Sequence, residues 1–546
     1  MSASWPPRLM FNSDGNWVNN YQERHDPSDL TRMIGPLRDA GVDLLSVLIG
    51  IDDDLSWRGS PHGQLWCDNV TEWNVDGVPT DIHGNPISDG AVHIHGRATT
   101  NRQATNAHEE LFNTIASVID DGHDLMQIYV DGAREHGLPV FASMRMNDAH
   151  TDTEDRMWYG RSTLKIERPD LLIGSAMPEA RHGSEWTFSW MWDYAQDEVR
   201  QRFLGIADET LTRYDFDGLE FDFCRQPPYF RGGEVVQNIP VMTDFVRQGY
   251  DVVRRHAKRR GRDLRFVVRV PTSIGESLSI GIDTLAWIRE GLADAFVISS
   301  PGYCVTGADV AAAVEAAGGT VPVYRGFDGS TYAASPQEGY ERNAPAVLRG
   351  AGLNGYRDGA AGIALFNYDY GSHRAGPVPG DYHDLTEDHL QTIRDLREPE
   401  ALARRDRCYY LGGPASPSGW GDHRPVLPRR LALRGRGAGE GHALHVTIVD
   451  DLDAGRADGR IKRTELRLRL TDYEQSKERL HLAINGRRLA FEPDRTIANG
   501  AGDEWLVFDD PGLRAGSNAV LLILDGASTP KPWPVLHSVE AMVVCS

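Results

Sequence analysis

Phe216-Asp217-Gly218-Leu219-Glu220-Phe221-Asp222-Phe223-Cys224-Arg225 is the stretch on which the reading of the fold turns. Taken as a strand it alternates, with Gly218, Glu220, Asp222 and Cys224 on one face and Leu219, Phe221 and Phe223 on the other. The aromatic face needs apolar cover, because large apolar side chains in a row do not belong in water. The two carboxylates are thereby turned toward an enclosed space. A strand of a closed parallel barrel meets both demands, since helices pack its outer face and its inner face lines the axis.

Seven further segments share this apolar character. RLMFN (Arg8 to Asn12), VDLLSVLIG (Val42 to Gly50) and PVFASMRMN (Pro139 to Asn147) precede it. LRFVVRVP (Leu264 to Pro271), AFVISSP (Ala295 to Pro301), VPVYRGF (Val321 to Phe327) and GIALFNYD (Gly362 to Asp369) follow it. Amphipathic stretches separate them, among them DPSDLTRMIGPLRDAG, where Asp26 or Ser28 can cap the start and Gly41 the end. Eight strands with crossover helices close a (β/α)8 TIM barrel, expected over residues 1–403. An open dinucleotide-binding sheet would need a glycine-rich phosphate turn after its first strand, and FNSDGNW is not one. Two long insertions, 53–106 and 148–194, follow strands at their C-terminal ends, where barrel enzymes build their sites, and their many tryptophans argue against disorder. From residue 404 to 546 the period changes to two, in runs such as ALHVTIVDD, TELRLRLTD and AVLLILDG. This part reads as an antiparallel β-sandwich domain.

The 546 residues carry 57 Lys and Arg against 79 Asp and Glu, a formal charge of −22, so the basic footprint that nucleic acid requires is missing. No run of about 18 apolar residues offers a membrane span. MSASWPPRLMFNSDG has no leader character, and Cys67, Cys224, Cys304, Cys408 and Cys545 form neither a disulfide framework nor a zinc pattern. A cytoplasmic enzyme with no cofactor is the expectation.

Polar residues gather where the strands end. Two acids stacked in a barrel interior repel each other and lose hydration, so one of Glu220 and Asp222 is expected to hold its proton unusually tightly. They stand only about 6–7 Å apart along one strand, so a catalytic pair needs an opposing acid from elsewhere. Glu276, Asp328 and Asp148 are the candidates, with Asp222 at the tip the preferred nucleophile or base. Arg145, Asn147 and His150 end the third strand and, with Arg225 and Arg269, can donate to hydroxyls or neutralise the acids. Asn12 and Asp14 after the first strand, and Asn367 and Asp369 after the eighth, complete a ring suited to a polyhydroxylated ligand. Trp190 and Trp192 in SEWTFSWMWDYA, and Tyr229 in PPYF, offer ring faces to a pyranose; the other reading of the tryptophans is burial against the following helix. Asp52-Asp53-Asp54 lacks the spacing of a calcium loop and reads as a solvated turn. His93 and His95 have no third ligand at useful spacing, so no metal is expected.

The phrase YDFDGLEFDFCRQPPYF, with RMNDAH and ERPDLLIG before it and IREGLADAFVIS and GIALFNYD after it, resembles bacterial proteins grouped near the glycoside hydrolase-like family ten proteins. A D-G-x-E-x-D-F-x-R strand is typical of that group. The likeness spans roughly residues 8 to 400. It implies a (β/α)8 fold, glycan hydrolysis, and a site containing Glu220, Asp222, Arg225, Arg145, Asn147 and Asp148. The expected activity is cleavage of O-glycosidic bonds by two carboxylates, with a carbohydrate as partner. A non-catalytic carbohydrate-binding barrel is one alternative; a sugar-acid lyase or isomerase, which would need a Lys or His base or a metal, is another. Trp420, Trp505 and Trp533 are too scattered to form a platform, so the sandwich is read as a brace or as an interface between copies of the chain.

Overall fold

In the computed structural model the described residues are 5–13, 15–21, 25–65, 70–73, 79–81, 91–94, 97–100, 115, 117–148, 152–153, 156–157, 162–174, 191–224, 227–299, 308–328, 345–368, 385–412, 431–432, 442–498, 504–525 and 533–546. Eight parallel strands close a barrel: β1 (Leu9–Ser13), β2 (Leu44–Leu48), β3 (Val140–Arg145), β4 (Gly218–Asp222), β5 (Arg265–Pro271), β6 (Ala295–Ser299), β7 (Val323–Asp328) and β8 (Gly362–Phe366). Each pairs with its neighbour in sequence, and β8 returns to β1. Each overlaps one of the eight segments read from the sequence. The crossovers carry α1 (Ile34–Asp39), α2 (Leu125–Glu135), α3 (Asp197–Arg213), α4 (Val235–Arg260), α5 (Thr284–Glu290), α6 (Val310–Ala317) and α7 (Pro345–Arg357), and α8 (Glu387–Leu396) follows β8. Asp26 caps a short 3-10 turn by accepting from the Ser28 N–H, and Gly41 takes φ +96° after α1.

Alternation along β4 explains why its acids face inward. Leu219, Phe221 and Phe223 are completely buried in the outer layer. The Phe221 ring stacks on Phe245 of α4 at 5.5 Å and meets Phe266 of β5 edge-on at 4.9 Å, while Phe223 lies 5.3 Å from Trp287 of α5. Burying each such ring is worth about 1.5–3 kcal/mol relative to leaving it exposed. Gly249 of α4 makes room for this packing, since a Cβ there would come within 2.6 Å of the Phe221 ring. Inside the barrel, Met10, Leu44, Phe141, Val267, Val297, Tyr324 and Ala364 form a small apolar plug. The polar residues of β1, β3, β4 and β5 lie beyond that plug, toward the C-terminal ends.

The C-terminal domain is a sandwich of two antiparallel sheets. Its strands of three residues or more are β9 (Arg407–Gly412), β10 (His442–Ile448), β11 (Ile461–Thr471), β12 (Leu480–Ile484), β13 (Arg487–Leu489), β14 (Arg495–Ala498), β15 (Glu504–Asp509), β16 (Gly516–Leu524) and β17 (Val535–Cys545). One sheet runs β9-β17-β11-β15-β14 and the other β10-β16-β12-β13. Leu466, Leu468, Leu506 and Val539 of the first meet Val446, Leu482, Val520 and Leu522 of the second in a common core.

The sandwich is fastened to the barrel. A Cβ on Gly350 of α7 would stand 2.2 Å from the Cys408 carbonyl, so only glycine lets β9 lie this close to the helix. Arg407, wholly buried, donates through Nη2 to Asp450 at 2.5 Å and through Nη1 to the carbonyls of Ala403 and Arg405 at 3.2 and 2.7 Å. Tyr409 donates its hydroxyl to the same Asp450 at 2.5 Å. Among the described residues no helix is long and apolar enough to cross a membrane.

Candidate active site

Glu220 stands in register between Ser143 of β3 and Val267 of β5, and Asp222 between Arg145 and Arg269. Asp222 is fully buried and both its oxygens are engaged. Oδ2 accepts from Arg269 Nη1 at 2.7 Å, and Oδ1 accepts from the Cys224 backbone N–H at 2.8 Å. The Arg269 guanidinium also lies 4.0 Å from the centroid of the Phe366 ring, a cation–π contact across the barrel. Glu220 is 5% exposed and is held through one oxygen. Asn12 Nδ2 and Ser143 Oγ both donate to its Oε1, the latter at 2.7 Å, and Asn12 Nδ2 also donates to Ser143 Oγ at 3.0 Å. Burial first, and the nearby Asp222 charge second, push the Glu220 carboxyl up to about 7. Ser143, Arg269 and Asn12 pull the other way without offsetting the rise.

Arg145 does not reach either acid of β4 as its salt-bridge partner. It pairs with Asp148 three residues on, both side chains buried, and the neutralising role on β4 belongs to Arg269. Asn147 is buried, and its amide is committed to main chain. Nδ2 donates to the carbonyls of Trp192 at 3.1 Å and Pro228 at 3.0 Å, and Oδ1 accepts from the Trp192 N–H at 3.0 Å. Asn147 thus ties the end of β3 to the segments around 192 and 228 rather than presenting donors to a ligand. Trp192 is wholly buried in the core, which departs from the expectation of a sugar platform. Tyr229 is equally buried, donating its hydroxyl to the Phe223 carbonyl at 2.8 Å and packing edge-on against Tyr194 and Phe223.

Asn367 follows β8 at φ +55°, a left-handed conformation that Asn tolerates, and its N–H donates to the Asn12 carbonyl at 2.9 Å. Asp328 closes β7 in register with Phe366, and Glu276 lies in the short helix Ile274–Ser277 after β5. The side chains of Asp328 and Glu276, and all of Asp14, His150, Trp190, Arg225 and Asp369, lie outside the described residues.

Asp52, Asp53 and Asp54 are buried, which overturns the solvated-turn reading. Asp52 takes φ +55° and accepts from Lys165 Nζ at 2.5 Å, both side chains nearly sealed from water. Asp53 pairs with Arg202 of α3 at 2.7 Å. Burial pushes Asp52 up to about 7 against the pull of Lys165, with Asp148 and Asp53 adding to the rise. Lys165 also sits 5.3 Å from the centroid of the Trp192 ring. Sequence reasoning missed Lys165 and Arg202, which lie 113 and 149 residues from their acids. It also missed Ser143, although the alternation Phe141, Ser143, Arg145 places that hydroxyl on the inner face of β3. No group of three His, Cys, Asp or Glu suited to a metal occurs among the described residues.

No family model matches the sequence, and no curated protein is significantly similar to it. Matched solved structures include the maltogenic α-amylase AmyB of Thermotoga neapolitana, at 11% identity over 95% of this chain and 98% of that one, with a TM-score of 0.35. The catalytic domain of GH30 xylanase C from Talaromyces cellulolyticus matches at 10% identity over 96% of this chain and 98% of that one, with a TM-score of 0.36. A Paenibacillus cycloisomaltooligosaccharide glucanotransferase matches at 8% identity over 98% of this chain, which spans 57% of that longer chain, with a TM-score of 0.34. These likenesses carry no weight for activity; the fold assignment rests on the closed eight-stranded barrel and the sandwich that follows it.

Proposed function

We propose that the chain hydrolyses O-glycosidic bonds at the C-terminal mouth of its barrel, with Glu220 as proton donor. The observation that carries this reading is the environment of Glu220, a buried carboxyl held near neutrality and engaged through Oε1 alone among the described residues. A general acid working near neutral pH must keep its proton until charge develops on the leaving oxygen, and burial beside a second carboxylate is how proteins arrange that. Asp222, with both oxygens committed to Arg269 and Cys224, serves as a fixed charge that keeps Glu220 protonated rather than as the group that meets the sugar. Two acids on one strand approach a ligand from one side, so the opposing carboxylate is assigned to Asp328, three strands round the barrel on β7. As the anomeric C–O bond breaks, Glu220 gives its proton to the departing oxygen. The Asp328 carboxylate attacks the anomeric carbon or takes a proton from the attacking water.

A screen of aryl glycosides and oligosaccharides, followed by Glu220→Gln, tests this. Loss of the proton donor should slow substrates with poor leaving groups by about 10²–10⁴-fold, and slow a dinitrophenyl glycoside, whose leaving group needs no proton, far less. Equal loss on both substrate types, or none, removes Glu220 from the role. A wild-type chain that melts at higher temperature with sugars but releases no product is a carbohydrate-binding barrel instead.

A further inference from the structure

We propose that Ser143 is a positioning residue which, together with Asn12, fixes the proton of Glu220 on Oε2. The proposal rests on the reading of Glu220 as proton donor and adds the device that aims it. The geometry is a closed donor triangle at the barrel's inner face. Asn12 on β1 donates through Nδ2 both to Ser143 Oγ at 3.0 Å and to Glu220 Oε1, and Ser143 on β3 donates to the same Oε1 at 2.7 Å. Since the Ser143 oxygen already accepts from Asn12, its single hydroxyl hydrogen is directed at Glu220. Oε1 then accepts two hydrogens, and a third on that atom would face both donors head-on.

The acid proton therefore sits on Oε2, which no group among the described residues hydrogen-bonds. All three members are buried, so water does not compete for these contacts. In the proposed step the Oε2–H bond breaks, a new O–H bond forms on the leaving oxygen, and the electron pair of the anomeric C–O bond goes to that oxygen. The Glu220 carboxylate left behind is stabilised by the same two donors until water returns the proton. Among the described residues the charged groups acting on Glu220 are Asp222 on its own strand and Arg269 on β5. On β3 the nearest charge, Arg145, is already paired with Asp148.

The test is Ser143→Ala and Ser143→Thr, read by the pH dependence of kcat/KM on a substrate with a poor leaving group. A hydrogen bond to an ionised carboxylate lost on Ser143→Ala should move the basic limb, where the acid loses its proton, upward by about one pH unit. The Thr variant keeps the donor and should keep the limb in place. A limb that stays put in the Ala variant while activity falls, or a Thr variant that behaves like Ala, overturns the proposal. The carbonyl stretch of Glu220, isolated by infrared difference against Glu220→Gln in the free protein, gives the same titration without substrate. A shift seen there in a chain that cleaves no glycoside would leave the positioning intact and sink the hydrolase reading. If Ser143→Ala does not fold, Asn12→Ala removes the other donor to Oε1 and should move the same limb in the same direction.

Discussion

Replacing Arg269 by methionine removes the cation that is paired with Asp222 at the barrel's mouth. Methionine keeps much of the volume of the side chain and removes its charge. Asp222, fully buried, loses the 2.7 Å contact that compensates its ionised form and keeps only the Cys224 N–H. Stranding one member of a buried ion pair costs about 3–5 kcal/mol, and the lost contact with Phe366 adds about 2 kcal/mol in so enclosed a site. Unfolding entropy of about 2.1 cal/mol/K per residue over roughly 400 barrel residues makes this a fall in Tm of about 6–8 °C. The assay is thermal unfolding by calorimetry, with the barrel transition followed separately from that of the sandwich. The control is Arg269→Met combined with Asp222→Asn, in which the amide oxygen still accepts from Cys224 and no charge is stranded. The double variant should recover about half or more of the loss. If it is as unstable as the sum of the two single variants, the pair is not electrostatically coupled and the role given to Arg269 is wrong.

Asn147→Ala leaves the Trp192 N–H and the carbonyls of Trp192 and Pro228 without their shared partner, and three such bonds at about 1 kcal/mol each predict a loss near 3 kcal/mol, with faster hydrogen exchange at the Trp192 amide. In the sandwich, buried Glu540 accepts from Trp505 Nε1 at 2.8 Å and Ser538 Oγ at 3.0 Å, and burial pushes it up to about 7. A carboxyl raised on folding stabilises the fold while protonated and loses that contribution as pH climbs from the ordinary carboxylate range through about 7. Stability of the sandwich should accordingly decline across that window at up to about 1.4 kcal/mol per pH unit, and Glu540→Gln should flatten the slope in denaturant titrations at pH 5, 6 and 8.

The parts of the molecule that were legible in the sequence are those decided by local alternation. Phe221 and Phe223 announce which way Glu220 and Asp222 must point, because a strand has two faces and aromatic side chains claim one. Arg269, a lone cation in the run VVRVP, was readable as the partner of a carboxylate, and the structure pairs it with Asp222. Ser143 obeys the same alternation, but a lone small hydroxyl inside an apolar run carries a weaker signal than the polar cluster where that run stops. What stayed hidden is long-range. Nothing near Asp52 in the chain hints at Lys165, and three consecutive aspartates look like a solvated turn until helix residues more than a hundred positions away cover them. Asn147 and Trp192 were read as ligand contacts for a related reason. A polar side chain and an indole at a strand end serve a ligand or fasten a loop equally well, and only the partners 45 residues off decide.

The Arg407 cluster has a bearing on how such a protein can be rearranged in evolution. Its guanidinium joins the carbonyls of Ala403 and Arg405 to Asp450, and Gly350 admits the Cys408 backbone against α7. A recombination breakpoint between residues 403 and 407 keeps Arg407 and Asp450 together but separates Cys408 from Gly350, so exchange of the C-terminal module demands a glycine at the matching position of α7. One small residue on the barrel is in that sense the condition for inheriting the sandwich.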